Sequence, residues 1–148
     1  MKSGSRGFTL AELLVVLVVA GLLLALVPPL VSRNMPSLQV QAAARDLAAG
    51  LRMARGEALR SGAAAFLKID PAENRISVPA TGRTRHLPEK VELQITTAQE
   101  YIDEDGVAAY HFYPDGSASG GNVVLALRGL AMQVSVDWLT GRIHVAEI

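Results

Sequence analysis

The sequence predicts an α+β protein: a membrane-spanning N-terminal helix, then an amphipathic helix packed on antiparallel β-sheet. Three observations predict it. An apolar run extends from Leu13 to Val31, and Glu12 is the one charge between Phe8 and Ser32. From Leu38 to Arg60, apolar side chains recur at three- and four-residue spacing, the period of a helix with one buried face. From Ala63 onward the period drops to two, as in strands with one buried side.

The first element is long enough to cross a bilayer. As a helix, Phe8 to Val31 would extend about 36 Å, against a hydrocarbon thickness of roughly 30 Å. A cleaved secretory signal also begins with basic residues, here Lys2 and Arg6, followed by an apolar core. This core is too long for one, and Pro28-Pro29-Leu30 stands where a small-x-small cleavage site belongs. A plain signal anchor accounts for the length and for the basic cytoplasmic side, but not for Glu12. A carboxylate inside a membrane segment costs a few kcal/mol unless paired, so it marks a function and requires a partner.

The second element follows a break at Ser32-Arg33-Asn34-Met35-Pro36-Ser37, where Pro36 disfavours helix at Met35 and Ser37 is placed to cap a new helix. Val40, Ala44, Leu47, Leu51, Ala54 and Ala58 share one face of that helix. Arg45, Arg52, Arg55 and Arg60 fall largely off it and read as its solvated side. Ser61-Gly62 supplies the stop. Pro28, Pro29 and Pro36 argue that the helical path from the membrane segment is bent or interrupted here.

The strands come next. Ala65–Ile69 and Arg75–Val78 flank the turn composition Asp70-Pro71-Ala72-Glu73-Asn74. Val91–Thr97 and Val107–Tyr113 read as two more. Asn122–Arg128, Ala131–Trp138 and Arg142–Glu147 alternate and are joined by compact connections at Gly129-Leu130 and Thr140-Gly141, an antiparallel meander. Val134, Val136 and Trp138 share a face expected to pack on Leu47 and Leu51. Pro114-Asp115-Gly116 is a tight turn, and Gly120-Gly121 allows backbone conformations closed to other residues.

Composition bounds the function. The 148 residues suffice for one membrane helix and one ordinary domain. Formal charge is zero, which gives no global bias towards nucleic acid. Cysteine is absent, which excludes disulfides and thiolate metal sites. Asp103-Glu104-Asp105-Gly106 is acidic but lacks EF-hand spacing and reads as a solvated turn. His86, His111 and His144 fall on separate strands, and no nucleophile–base–orienter set emerges near them. Neither HExxH nor GxSxG occurs. No catalytic residue, metal site or cofactor is assigned.

Gly7-Phe8-Thr9-Leu10-Ala11-Glu12 resembles the class III signal of type IV pilins and of the pseudopilins of type II secretion. The resemblance implies cleavage by a prepilin peptidase between Gly7 and Phe8, and N-methylation of the new amine of Phe8. It implies that the apolar segment stays in the mature chain. It also supplies a partner for Glu12, the N-terminal amine of a neighbouring subunit during assembly. A carboxylate and an ammonium attract strongly in low dielectric, and either alone is penalised. Loss of Lys2 and Arg6 with the leader would leave 12 of the 14 basic side chains against 14 acidic ones.

Phe112 to Gly121 and Leu139-Thr140-Gly141-Arg142-Ile143 resemble the globular domain of the H-type minor pseudopilin family, often called GspH. That resemblance implies a pilin-like fold with a leader at 1–7, a transmembrane helix at 8–31, a linker and amphipathic helix at 32–62, and a periplasmic β domain at 63–148. It implies a structural subunit at or near the tip of the pseudopilus, supporting export of folded proteins across the outer membrane. Its partners would be the other minor pseudopilins, the major pseudopilin, the prepilin peptidase and the inner membrane, with no small-molecule substrate. The alternative is a FimT- or FimU-like minor type IV pilin serving pilus assembly or DNA uptake. Gly82-Arg83-Thr84-Arg85 has the Gly-Arg-x-Arg form of DNA-binding pilins, which makes Arg83 and Arg85 the candidate DNA contacts. At the C-terminal position Gly141-Arg142-Ile143-His144 has histidine where the second arginine would stand, so DNA is the less favoured partner.

Overall fold

A computed structural model describes residues 9–98, 101–103 and 105–148, with the backbone alone described at 25–34. The chain divides into two compact units, Met1–Met35 and Pro36–Ile148.

One helix, α1, is assigned to Leu10–Ser61. Its helical backbone passes through Pro28, Pro29 and Pro36, so the expected break at 32–37 and the expected cap at Ser37 do not occur. Each proline removes one backbone donor, but single lost bonds are tolerated where the flanking turns remain paired. The helix stops where the sequence predicts. Gly62 adopts φ 68°, and its N–H donates to Ala58 O at 3.1 Å. The first unit's side chains from Leu13 to Val19 and from Leu22 to Leu24 are exposed. Among the described residues, no helix is long and apolar enough to cross a membrane.

The second unit contains eight strands: β1 (Ala65–Asp70), β2 (Arg75–Val78), β3 (Arg83–His86), β4 (Glu92–Thr96), β5 (Ala108–Phe112), β6 (Gly121–Leu127), β7 (Leu130–Val136) and β8 (Ile143–Glu147). They form two four-stranded antiparallel sheets, in the orders β3-β2-β1-β5 and β4-β6-β7-β8. The predicted meander is β6-β7-β8. Its first connection is Arg128-Gly129, both at positive φ between paired Leu127 and Leu130, the geometry that suits the strand twist. The sequence places His86 on a strand but sets no bounds for β3, because its four residues are all exposed and polar and no hydrophobic alternation marks it.

One core joins the helix to both sheets. Val40, Ala44, Leu47, Leu51, Ala54 and Ala58 are all buried, as their spacing predicts, together with Ala43 and Ala48. They share a cluster with Leu67 and Ile69 of β1, Tyr110 and Phe112 of β5, Val123 and Leu125 of β6, and Val134 and Val136 of β7. Trp138 does not join them and is 65% exposed. The reason is local. β7 ends at Val136, and the Asp137 carboxylate then gathers Leu139 N–H at 3.1 Å, Thr140 N–H at 2.8 Å and the Thr140 hydroxyl at 2.8 Å. The turn that results ends the strand alternation before Trp138. Arg55 also departs from the expected solvated side: its Nη2 donates to Thr140 O at 3.1 Å.

Tyr110 and Gly121 make the joint between the sheets. Burial pushes the Tyr110 phenol well above its ordinary pKa. Its hydroxyl lies 3.2 Å from Thr96 O of β4 and 3.0 Å from Asn122 O of β6. Gly121 has φ 123°, and a Cβ there would stand 2.5 Å from Thr96 O and 3.0 Å from the Tyr110 ring. Gly121→Ala is therefore expected to cost about 3 kcal/mol through combined backbone strain and overpacking. Gly129→Ala, strained but open, should cost about 1 kcal/mol. Denaturant titration followed by circular dichroism measures both, and equal effects would refute the close-approach argument.

The turn carboxylates give the fold an acid limit. The Thr140 N–H and hydroxyl hold Asp137 below the usual carboxylate range, and the Ser117 hydroxyl and N–H do the same for Asp115. A depressed carboxylate contributes stability that is fully present above its unfolded pKa, near 3.9, and is lost as pH falls through the folded value. The melting temperature is expected to fall below about pH 4, by a modest amount because both carboxylates are exposed. Asp115→Asn with Asp137→Asn should flatten that drop, and an unchanged acid profile would count against this origin.

Candidate assembly site

Gly7 and Phe8, the expected cleavage and methylation positions, lie outside the described residues. The description begins one residue later, at the helix start that carries Glu12. Thr9 caps α1: its Oγ1 accepts from Glu12 N–H at 3.3 Å, and its carbonyl accepts from Glu12 N–H at 3.1 Å and Leu13 N–H at 3.2 Å. Thr9-Leu10-Ala11-Glu12 has the Thr-x-x-Glu spacing of a capping box, a signal legible in the sequence. The cap fixes Glu12 in the first helical turn, where the partial positive charge of the helix terminus favours a carboxylate. Among the described residues no basic group pairs with Glu12, and the side chains from Leu13 to Val19 that follow it are apolar and exposed. The arrangement offers one anionic group at the head of an apolar cylinder.

The alternative site is drawn together only in part. Arg83 and Arg85 stand on β3, the edge strand, and both line a cleft of about 450 Å³ walled by β2 and the Asp46–Met53 stretch of α1. Within it Arg85 Nη1 meets Asp46 Oδ1 at 2.6 Å. One of the two candidate phosphate contacts is thus neutralised by the chain itself.

Several of the other polar groups are engaged in structure. Asp103 Oδ1 accepts from Val107 N–H at 2.8 Å, closing the acidic turn on itself, while Glu104 lies outside the described residues. His111 stacks between Phe66, with ring centroids 5.1 Å apart, and Tyr101, at 5.0 Å. Burial holds its pKa below the ordinary value. His86 and His144 are exposed on β3 and β8. Among the described residues no three His, Asp or Glu side chains gather closely enough to hold a metal ion.

Comparison with known proteins agrees with this arrangement at both ends of the chain. Residues 2–28 match the prokaryotic N-terminal methylation motif, and residues 43–140 match the family described as type II transport protein GspH. The type II secretion system protein H of Xanthomonas campestris pv. campestris is 28% identical over 139 residues, 94% of this chain and 82% of that protein. The fold is shared with the minor pseudopilin EpsH of Vibrio cholerae, at a TM-score of 0.57 and 13% identity over 74% of this chain and 97% of that one. It is shared equally with the type IV minor pilin FimU of Pseudomonas aeruginosa, at a TM-score of 0.57 and 19% identity over 80% of this chain and 92% of that one. The two structural likenesses carry the pilin-like fold alone. The family match, which covers most of the chain, separates the two functions: the chain belongs to the GspH family and is a minor pseudopilin of type II secretion.

Proposed function

We propose that the chain is cut between Gly7 and Phe8, methylated on the Phe8 amine and held in the inner membrane by residues 8–31, with its C-terminal domain in the periplasm. It is then built into the pseudopilus at or near the tip, beside other minor pseudopilins and the major pseudopilin, and supports export of folded proteins. Its role is structural. The observation that carries this reading is Glu12, capped into the first turn of α1 ahead of an exposed apolar surface and without a basic partner among the described residues. Such a surface is stable in lipid or against other apolar helices, and such a carboxylate is stable there only when paired. The methyl-bearing amine of a neighbouring subunit meets that requirement and sets the register of helix on helix.

The alternative, a type IV minor pilin that takes up DNA, has Gly82-Arg83-Thr84-Arg85 in its favour and the family match against it. The Arg85–Asp46 pair weakens it, because phosphate binding there must first displace a carboxylate.

Processing has a direct test. Intact-mass analysis of protein extracted from membranes should find a chain beginning at Phe8 and carrying one added methyl group. A chain that still begins at Met1, or one cut beyond Pro29, would overturn the proposal. Substitution of Gly7 by a bulky residue should leave the leader attached.

Assembly has another. Glu12→Leu removes the one charge of the apolar segment and should leave membrane insertion unchanged or improved. Its incorporation beside other pseudopilins should fall at least about tenfold, the scale set by about 1.4 kcal/mol or more of lost pairing. Crosslinking yield, read beside membrane fractionation, measures the two effects separately. Normal incorporation of Glu12→Leu would remove the role assigned to this residue.

A further inference from the structure

Three arginines converge on one cleft of the globular unit. Arg52 and Arg55 of α1 and Arg142, just ahead of β8, line one cleft of about 250 Å³ whose remaining wall is Gly141 and Ile143. Among the described residues none of the three has an acidic partner, whereas Arg60, Arg75 and Arg85 each do. Arg55 is the fixed member. Its Nη2 is held by Thr140 O, and its Nε is buried with no protein acceptor. A desolvated guanidinium N–H left unpaired is costly, and a carboxylate or phosphate oxygen is the acceptor that best relieves it.

The floor of the cleft is built close. A Cβ at Gly141 would stand 2.5 Å from Gly116 O and 3.0 Å from Arg55 Nε, so only glycine lets the two turns close on the guanidinium. The same turns present apolar surface beside it. Trp138 and Leu139 are 65% and 62% exposed, and Leu59 of α1, also exposed, lies against the Gly116 turn. Exposed tryptophan and arginine are residue types enriched at interface centres, where a few such residues carry most of the binding energy.

Charge around the rim selects among anions. Asp115 and Asp137 stand on the two turns that meet at Gly116 and Gly141, and their own hydrogen bonds hold them ionised. A polyanion such as duplex DNA presents a run of phosphates and meets these carboxylates along with the arginines. A single carboxylate flanked by apolar residues meets only the arginines. We propose that the Arg52–Arg55–Arg142 cleft docks an Asp or Glu side chain of a neighbouring pseudopilin subunit, with Trp138 and Leu139 as the apolar anchors of that contact. The proposal rests on the pseudopilin function and assigns it a surface in the globular unit, independent of Glu12.

The test uses the full-length protein in detergent, co-expressed with tagged minor and major pseudopilins of the same bacterium. Arg52→Glu with Arg142→Glu should lower their co-purification at least tenfold, and Arg128→Glu, away from the cleft, should not. Both altered arginines are exposed, and a melting curve of each variant reads the fold. Arg142→Lys keeps the charge and adds a reactive amine. Carbodiimide should then join it to a partner Asp or Glu, with loss of water, giving a crosslink that the wild type lacks at this position. Undiminished co-purification of the reversed variant, or no Arg142→Lys crosslink to a partner carboxylate, would overturn the cleft assignment and leave the pseudopilin function standing. Failure of the wild type to capture any pseudopilin would overturn both. Capture of a 30-base-pair DNA duplex at about 150 mM salt, lost on reversal while pseudopilin capture is unchanged, would overturn it in favour of phosphate.

Discussion

The globular unit depends on how closely α1 can approach two sheets at once. Its buried face alternates large and small: Leu47 and Leu51 fill the space between the sheets, while Ala43, Ala44, Ala48, Ala54 and Ala58 let backbones come near. Gly50 marks the limit of that approach, since a Cβ there would stand 2.5 Å from the Leu67 side chain of β1. A helix lined with larger residues would be held off, and the core would lose the contacts that make one cluster of one helix and two sheets. Dispersion and apolar burial both fall away steeply with such a gap. The alanine bias is thus a packing device, and its high helix propensity is a second benefit of the same residues.

The two sheets meet along a narrower joint. The chain leaves β5 at Phe112, turns at Pro114-Asp115-Gly116, and enters the other sheet at Gly121. Along that path Ala118 N–H donates to Trp138 O at 2.8 Å, and Ser119 N–H donates to His111 O at 2.9 Å. Tyr110 spans the joint from below with its buried hydroxyl. The turns at 113–117 and 137–142 are brought together by this crossing, and Arg55 reaches into them from the helix. Packing and surface chemistry therefore meet here: the close approach of Gly141 to Gly116 that brings the two turns together also shapes the arginine cleft.

At the other end of α1 the physics is that of an unpaired charge. Thr9 and the helix terminus stabilise the Glu12 carboxylate locally, but neither supplies a counter-charge. Among the described residues Glu12 has no basic partner, and the apolar side chains from Leu13 to Val19 that follow it are exposed. Membership of the GspH family places this helix start in a minor pseudopilin of type II secretion.

What the sequence determined by itself was everything local and periodic. The helix face from Val40 to Ala58, the stop at Gly62, the hairpin around Asp70–Asn74, the meander from β6 to β8 and the Gly7–Glu12 signal are each written in a few adjacent residues, because spacing and turn chemistry act over one or two turns of chain. The Thr9 cap was equally legible. Tertiary structure decided the rest. It decided that the strands divide into two sheets, with β4 and β5 exchanged between them, since pairing partners distant in sequence leave no local mark. It decided that α1 stays helical through Pro36, where the neighbouring turns outweigh one missing donor. It placed Trp138 outside the core, because Asp137 turns the chain two residues earlier than the alternation suggests. It tied Arg85 to Asp46, and it gathered Arg52, Arg55 and Arg142 from opposite ends of the domain into one cleft. A convergence of side chains some ninety residues apart is a property of packing, and no spacing in the sequence encodes it.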